Sequence, residues 1–233
     1  MRILQDLGIP PQLALTHSYP SRFPVSHRPV RVLLPFPEIR VDHRMSADDE
    51  DLWLRRNDNL IGDRLELGRK GIIHCVSYQR SRRILEASKW SSSIIWHRNS
   101  ADKQDAIQRY REAEEPCVLL SPGITTGEDF PDDECRWILV PKLPWPDTRS
   151  AVMQRRVADD KQYRMRVMLQ TLVQACGRGV RHELDWCEML VNDAHAKYAL
   201  GYKNRWMMAP WFAESIQFEN VARPRPLELE EAA

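Results

Sequence analysis

Three polar side chains, Gln174, Arg178 and Arg181, stand at i, i+4 and i+7 in the stretch QACGRGVRHELD, residues 174–185. On a helix that spacing forms one stripe, opposite Leu169, Leu172, Val173 and Cys176. Two guanidinium forks on one stripe suit a phosphate-bearing ligand, because their planar donors match its oxygens. Gly177 and Gly179 interrupt the same stretch. Within a helix each is less favourable than alanine by roughly 1 kcal/mol. That makes sense where another backbone or a phosphate comes close. Read alone, the stretch is equally a frayed helix end with solvated arginines.

Two further stretches bear on that choice. SPGITTGEDFPDD, residues 121–133, follows the apolar run CVLLS, and it shares with QACGRGVR four of the chain's nine glycines. The hydroxyls of Thr125 and Thr126 and the backbone amides near Gly123 and Gly127 suit phosphate oxygens, and Asp129 suits a ribose hydroxyl. SYQRSRR, residues 77–83, follows the run GIIHCVS and offers Ser77, Tyr78, Arg80 and two more arginines. Its plainer reading is a helix start with a solvated basic face. In open α/β sheets the loops at the carboxyl ends of strands build the binding crevice. All three stretches are therefore expected on one edge of a sheet.

The elements that must position them follow from periodicity. Short apolar runs, VRVLLPF (30–36), GIIHCVS, SSIIWH, CVLLS, RWILVPKLP and WCEMLVND, predict strands. Between them, a segment opened by Ser46 with Asp48, Asp49, Glu50 and Asp51 in its first turn, then SRRILEAS, KQDAIQRYREAEE and a long stretch from Ser150 to Cys176, predict helices. The acid run after Ser46 suits the positive end of a helix dipole, which explains it without a carboxylate metal or nuclease site. Continuous apolar strands alternating with helices imply an α/β fold, a parallel sheet covered by helices on both faces.

Bulk properties exclude several classes. The chain has 233 residues, 42% apolar and 29% charged, with a net charge of +1. It is not histone-like, although a local basic groove remains open to it. It has no run of about 18 apolar residues, so no membrane helix is expected. Cys75, Cys117, Cys135, Cys176 and Cys187 are odd in number and set in apolar runs, as reduced buried thiols of a cytoplasmic protein would be. With no CxxC or CxxH pair, neither a metal site nor an iron–sulfur cluster is expected in this chain.

GIIHCVSY, then LLSPGITTGEDFPDDECRWILVPKLPWP, then QACGRGVR followed by DWCEMLVND, resembles the second, C-terminal motor domain of superfamily 2 helicases. The XPD/DinG branch is the nearest in pattern, and the resemblance runs from about Val30 to Trp211. Thr126 and Glu128 depart from it, since this branch usually has Glu before the loop glycine and an aliphatic residue after it. The resemblance implies a RecA-like domain over 30–220, an irregular lead-in over 1–29 that ends a linker from a first motor domain, and a flexible tail over 221–233. It implies arginine fingers at Arg178 and Arg181, a nucleotide contact or coupling role for Gln174, and a coupling loop containing Gly127 and Asp129. It also implies a grip on single-stranded nucleic acid, DNA above all, by Ser77, Tyr78, Arg80, Thr125 and Thr126.

The chain contains neither a GxxxxGK[ST] phosphate loop nor a DExH box. ATP and Mg²⁺ would therefore be shared with a first motor domain, in cis or in trans, and the chain alone is expected to be inactive. Two alternatives stand beside this one. One is a non-enzymatic nucleic-acid-binding or adaptor domain with a helicase-derived fold. The other is the motor of a restriction or remodelling enzyme, which would need an appended segment that this length does not hold.

Overall fold

A computed structural model describes residues 8–220 except 16, 18 and 124–127. Thr125, Thr126, Gly127 and the expected tail 221–233 lie outside the described residues.

Seven strands form one sheet: β1 (Val30–Leu33), β2 (Gly71–His74), β3 (Ile94–Trp96), β4 (Val118–Ser121), β5 (Trp137–Val140), β6 (Glu188–Val191) and β7 (Ile216–Glu219). Their order is β3-β4-β2-β5-β6-β1-β7. Every pairing is parallel, so all carboxyl ends share one edge of the sheet and all amino ends the other. Strands β2, β4, β5 and β6 are buried along their whole length, as a sheet covered on both faces requires. Gly71 opens β2 opposite Trp137, and a Cβ there would lie 2.1 Å from the indole, so only glycine fits.

Seven helices connect the strands: α1 (Ala47–Leu65), α2 (Tyr78–Ala87), α3 (Lys103–Glu112), α4 (Ala151–Asp159), α5 (Tyr163–Cys176), α6 (His195–Ala199) and α7 (Pro210–Ala213). On one face Ala106, Ile107 and Tyr110 of α3 and Met168, Leu169 and Leu172 of α5 pack with Ile72, Leu119 and Ile138, and α6 and α7 join them. On the other, Trp53, Leu60 and Ile61 of α1 and Ile84 of α2 pack with Ile73, Leu120 and Leu139. The acid run caps α1 as expected: Ser46 Oγ accepts from the Asp49 amide at 3.1 Å. All five cysteines are free and buried. No helix among the described residues is long and apolar enough to cross a membrane.

Three local readings change. The predicted helix from Ser150 to Cys176 is two helices, because Asp160 ends α4 and its carboxylate accepts the Gln162 amide at 3.1 Å. Such side-chain competition with the backbone is the usual reason aspartate breaks helices. SYQRSRR is not a loop: Ser77 caps α2, accepting from the Arg80 amide, and Tyr78 to Arg83 lie inside the helix. Strand β7 and the short helices α6 and α7 went unread, since none carries a periodic pattern of useful length.

Candidate functional site

The arginine segment does not form the predicted stripe. Helix α5 stops at Cys176, the amide of Gly177 closes it onto Val173 O, and Arg178 and Arg181 stand in the turn beyond. Gln174 alone of the three remains on the helix, exposed. Gly179 explains the turn. A Cβ there would lie 2.4 Å from Cys187 Sγ and 3.1 Å from Cys135 O, so the approach that glycine permits is to this domain's own core.

Those neighbours also fix the place. Cys135 and Cys187 precede β5 and β6, so Gly179 lies at the amino edge of the sheet. Ser77, Tyr78 and Arg80 follow β2 at the carboxyl edge. The expectation that all three stretches share one edge therefore fails. The reason is connectivity: α5 runs back across the sheet before the arginines are reached.

The loop after β4 spans the gap. Near its start, Lys103 Nζ donates to Gly123 O at 3.1 Å. Farther along, Arg111 donates to Glu128 at 3.2 Å and to Asp129 O at 3.0 Å. Lys103 opens α3 and Arg111 nearly ends it, so Gly123 and Asp129 are held at opposite ends of that helix. At its far end the Phe130 amide donates to Arg178 O at 3.2 Å, and the Phe130 ring is buried against Tyr110.

Asp129 meets both arginines there. Its Oδ1 accepts from Arg181 Nη2 and lies 3.5 Å from Arg178 Nη1. Arg178 also donates to Glu128 O at 2.9 Å. The Arg178 side chain is 15% exposed and that of Arg181 32%. Arg178 thus reaches inward under the loop, and Arg181 remains open to solvent. His74, at the carboxyl end of β2, is buried, and its Nδ1 has no hydrogen-bond partner among the described residues. Burial first, and the Arg178 charge second, bring its pKa down to about 4, so at neutral pH the ring adds no positive charge to this cluster. Sequence reasoning missed His74; it looked like one more residue of a buried strand.

Asp132, His182 and Asp185 bring ligand atoms within 4.8 Å of one another. Asp185 is buried and already accepts from Arg136 at 2.9 Å and from the amides of Arg181 and Trp186. His182 pairs with Asp132 at 2.9 Å. The group therefore works as the anchor of the arginine turn.

The carboxyl edge is built differently. Ser77 caps α2, and Tyr78 stands edge-on to His97 with ring centroids 5.5 Å apart. His97 bonds Ser121 Oγ at 2.7 Å, which ties the ends of β3 and β4. Arg80 donates to Asp42 O at 3.4 Å and lies over the Trp53 ring. Lys142 follows β5, and burial together with the Arg80 charge lowers its pKa. Neither Arg80 nor Lys142 pairs with a carboxylate among the described residues.

A family model, the helicase C-terminal domain, matches residues 67–212. No curated protein matches the chain. Among solved structures, an apo XPD structure aligns with a TM-score of 0.61 at 12% identity, covering 94% of this chain and 42% of that one. Xpd4 of S. tokodaii aligns with a TM-score of 0.51 at 14% identity, covering 91% of this chain and 42% of that one. S. cerevisiae Dbp5 bound to RNA and ADP BeF3 aligns with a TM-score of 0.55 at 11% identity, covering 95% of this chain and 49% of that one. The likeness establishes the RecA-like fold, and the chain spans less than half the length of each of these proteins.

Proposed function

The chain belongs to the helicase C-terminal domain family, and we propose that it is the second motor domain of an ATP-dependent DNA helicase. In this reading it works against a first motor domain, in cis or in trans, that carries the phosphate loop.

The observation that carries the reading is the arginine pair. Asp129 accepts from Arg181 and lies 3.5 Å from Arg178, at a turn where the Arg181 side chain is 32% exposed. A terminal phosphate presented there would compete with Asp129 for Arg181. Planar guanidinium forks match phosphate charge as it spreads in the transition state, and such an arginine is worth about 10³–10⁵ in rate. ATP with Mg²⁺ would supply the phosphoanhydride bond. Arg178, anchored on Glu128 O, would hold position while Arg181 moves from carboxylate to phosphate. Gln174, exposed near the end of α5, would meet the nucleotide beside them. Asp185 and Asp129 are both committed to arginines, so Mg²⁺ would be held by the first motor domain.

Release of Asp129 is the means of coupling. Gly123 is tethered to Lys103 of α3, Asp129 to Arg111 of α3, and Phe130 to Arg178 O. A change at Asp129 would therefore pull on the loop that begins at the carboxyl edge. There Ser77, Tyr78 and Arg80 would grip the strand's backbone without reading its bases, a role that the family resemblance also gives Thr125 and Thr126.

The test is complementation. The chain alone is expected to show no strand-stimulated ATP hydrolysis, and adding the cognate first motor domain is expected to restore it with single-stranded DNA preferred over RNA. Motor-like turnover by the isolated chain would refute the division of labour. Binding that is tight and sequence-selective would favour the adaptor alternative.

A further inference from the structure

Residues 195–206, HAKYALGYKNRW, carry three cations, Lys197, Lys203 and Arg205, no carboxylate, and three aromatic rings, Tyr198, Tyr202 and Trp206. The backbone of this segment is firmly held. Ala196, Ala199 and Leu200 are buried in the core, and Asn204 Nδ2 donates to Tyr198 O at 2.8 Å. Gly201 packs so closely on the preceding helical turn that a Cβ would lie 2.8 Å from Lys197 O. Yet Tyr198 is 69%, Tyr202 88% and Trp206 66% exposed. None of the three rings lies against another ring or a cation among the described residues.

Large rings held on a rigid backbone with open faces are surface that folding did not bury. The charge selects the partner. Lys197 pairs with Glu38 at 2.6 Å, while Lys203 is exposed with no carboxylate partner among the described residues. Aromatic faces interleaved with cations match one ligand chemistry well: bases that stack and phosphates that need neutralising. The segment starts at the carboxyl edge and runs toward the amino edge, where Arg205 donates to Ile216 O, at the start of β7, at 3.5 Å. Arg80 donates to Asp42 O, the Asp42 carboxylate lies 3.9 Å from His195 Nε2, and Lys197 and Tyr198 follow on α6.

We propose that Tyr198, Tyr202 and Trp206 form a stacking platform for the bases of single-stranded nucleic acid, extending the strand path beyond Arg80. This rests on the carboxyl edge being the strand-binding edge. Phosphates would be positioned by Lys203 and Arg80, and sequence would matter little because every base has a stacking face.

The experiment measures binding of the full chain to labelled oligothymidylate and to an abasic strand of equal length. Tyr202→Ala with Trp206→Ala is expected to weaken oligothymidylate binding roughly 5- to 100-fold and to leave abasic binding within about two-fold. Tyr202→Phe with Trp206→Phe is expected to recover most of the loss. The platform is overturned if the alanine pair binds oligothymidylate like the parent, or loses affinity for both strands alike. It is overturned as well if light scattering shows the alanine pair only dissolving a dimer, which would give the rings to a second copy of this chain. Arg80→Ala separates the two proposals. Weakening by Arg80→Ala but not by the alanine pair keeps the grip and removes the platform; the reverse keeps the platform and removes Arg80 from the path.

Discussion

The two edges of the sheet carry similar charged side chains in opposite circumstances. At the amino edge, arginines meet carboxylates: Arg64 with Glu188 at 3.0 Å, Arg136 with Asp185 at 2.9 Å, and Arg178 and Arg181 with Asp129. At the carboxyl edge, Arg80 meets a carbonyl and a ring, Lys142 has Asp42 and Asp193 nearby but forms no ion pair among the described residues, and Arg83 pairs with Glu50 at 2.8 Å. Compensated charge holds geometry where a guanidinium meets more than one acceptor, as at Arg136 and Arg178. The amino edge thus ties its arginines to carboxylates, while Arg80 and Lys142 at the carboxyl edge form no ion pair among the described residues.

The comparison can be broken most sharply at Arg181. Once a first motor domain has restored hydrolysis, Arg181→Ala is expected to reduce turnover by about 10³-fold or more with little change in thermal stability. Arg178→Ala is expected to match that loss and also to lower the melting temperature, because Arg178 is largely buried and supports the loop at Glu128. Steady-state ATPase with thermal denaturation reads both. Intact turnover in Arg181→Ala would show that its pairing with Asp129 is only structural.

Next comes Glu188, buried at the start of β6 with Arg64 wholly buried opposite it. Removing one partner of such a pair leaves a charge stranded, so Glu188→Ala is expected to destabilise by about 3–5 kcal/mol. Replacing both residues with apolar ones of similar volume should recover much of this. Urea unfolding measures it. A loss near 1 kcal/mol for the single variant would mean that water reaches the pair and that the amino edge is less closed than described.

His74 ends β2, and its effect follows pH. Its folded pKa of about 4 lies below the ordinary 6.5, so the unfolded chain takes up a proton first. The stability this group contributes is complete above about pH 6.5 and is lost as pH falls toward about 4, on the order of 3 kcal/mol. His74→Asn should flatten the decline between pH 7 and 4.5 in urea titrations. An unchanged decline would place the acid-sensitive group elsewhere.

The smallest expected effect is at the open edge. Arg80→Ala should weaken single-strand binding equally for all sequences and reduce the salt slope by about one unit, as loss of one phosphate contact does. Titrations over a range of salt decide it. An unchanged slope would mean that Arg80 serves only Trp53 and Asp42.

Much of this was legible from residue types. Apolar runs marked six of the seven strands, and Ser46 and the acids behind it announced the start of α1. The glycines and arginines of 177–181 mark a turn rather than the stripe that a continuous helix would give, because Gly177 ends the helix. His74 is hidden in an apolar run, and its burial is visible only in the fold.

What the sequence determined by itself was therefore local: which stretches are strand or helix, where caps fall, and which residue types could meet phosphate. These depend on interactions over a few residues. The tertiary structure alone decided which edge each group reaches and which charges are compensated. Arg181 meets Asp129 across 52 residues and Arg64 meets Glu188 across 124. Tyr202 and Trp206 are exposed because their rings find no partner beyond the segment. Such placements follow from how the chain crosses the sheet between strands, and side-chain spacing along the chain carries no record of that path.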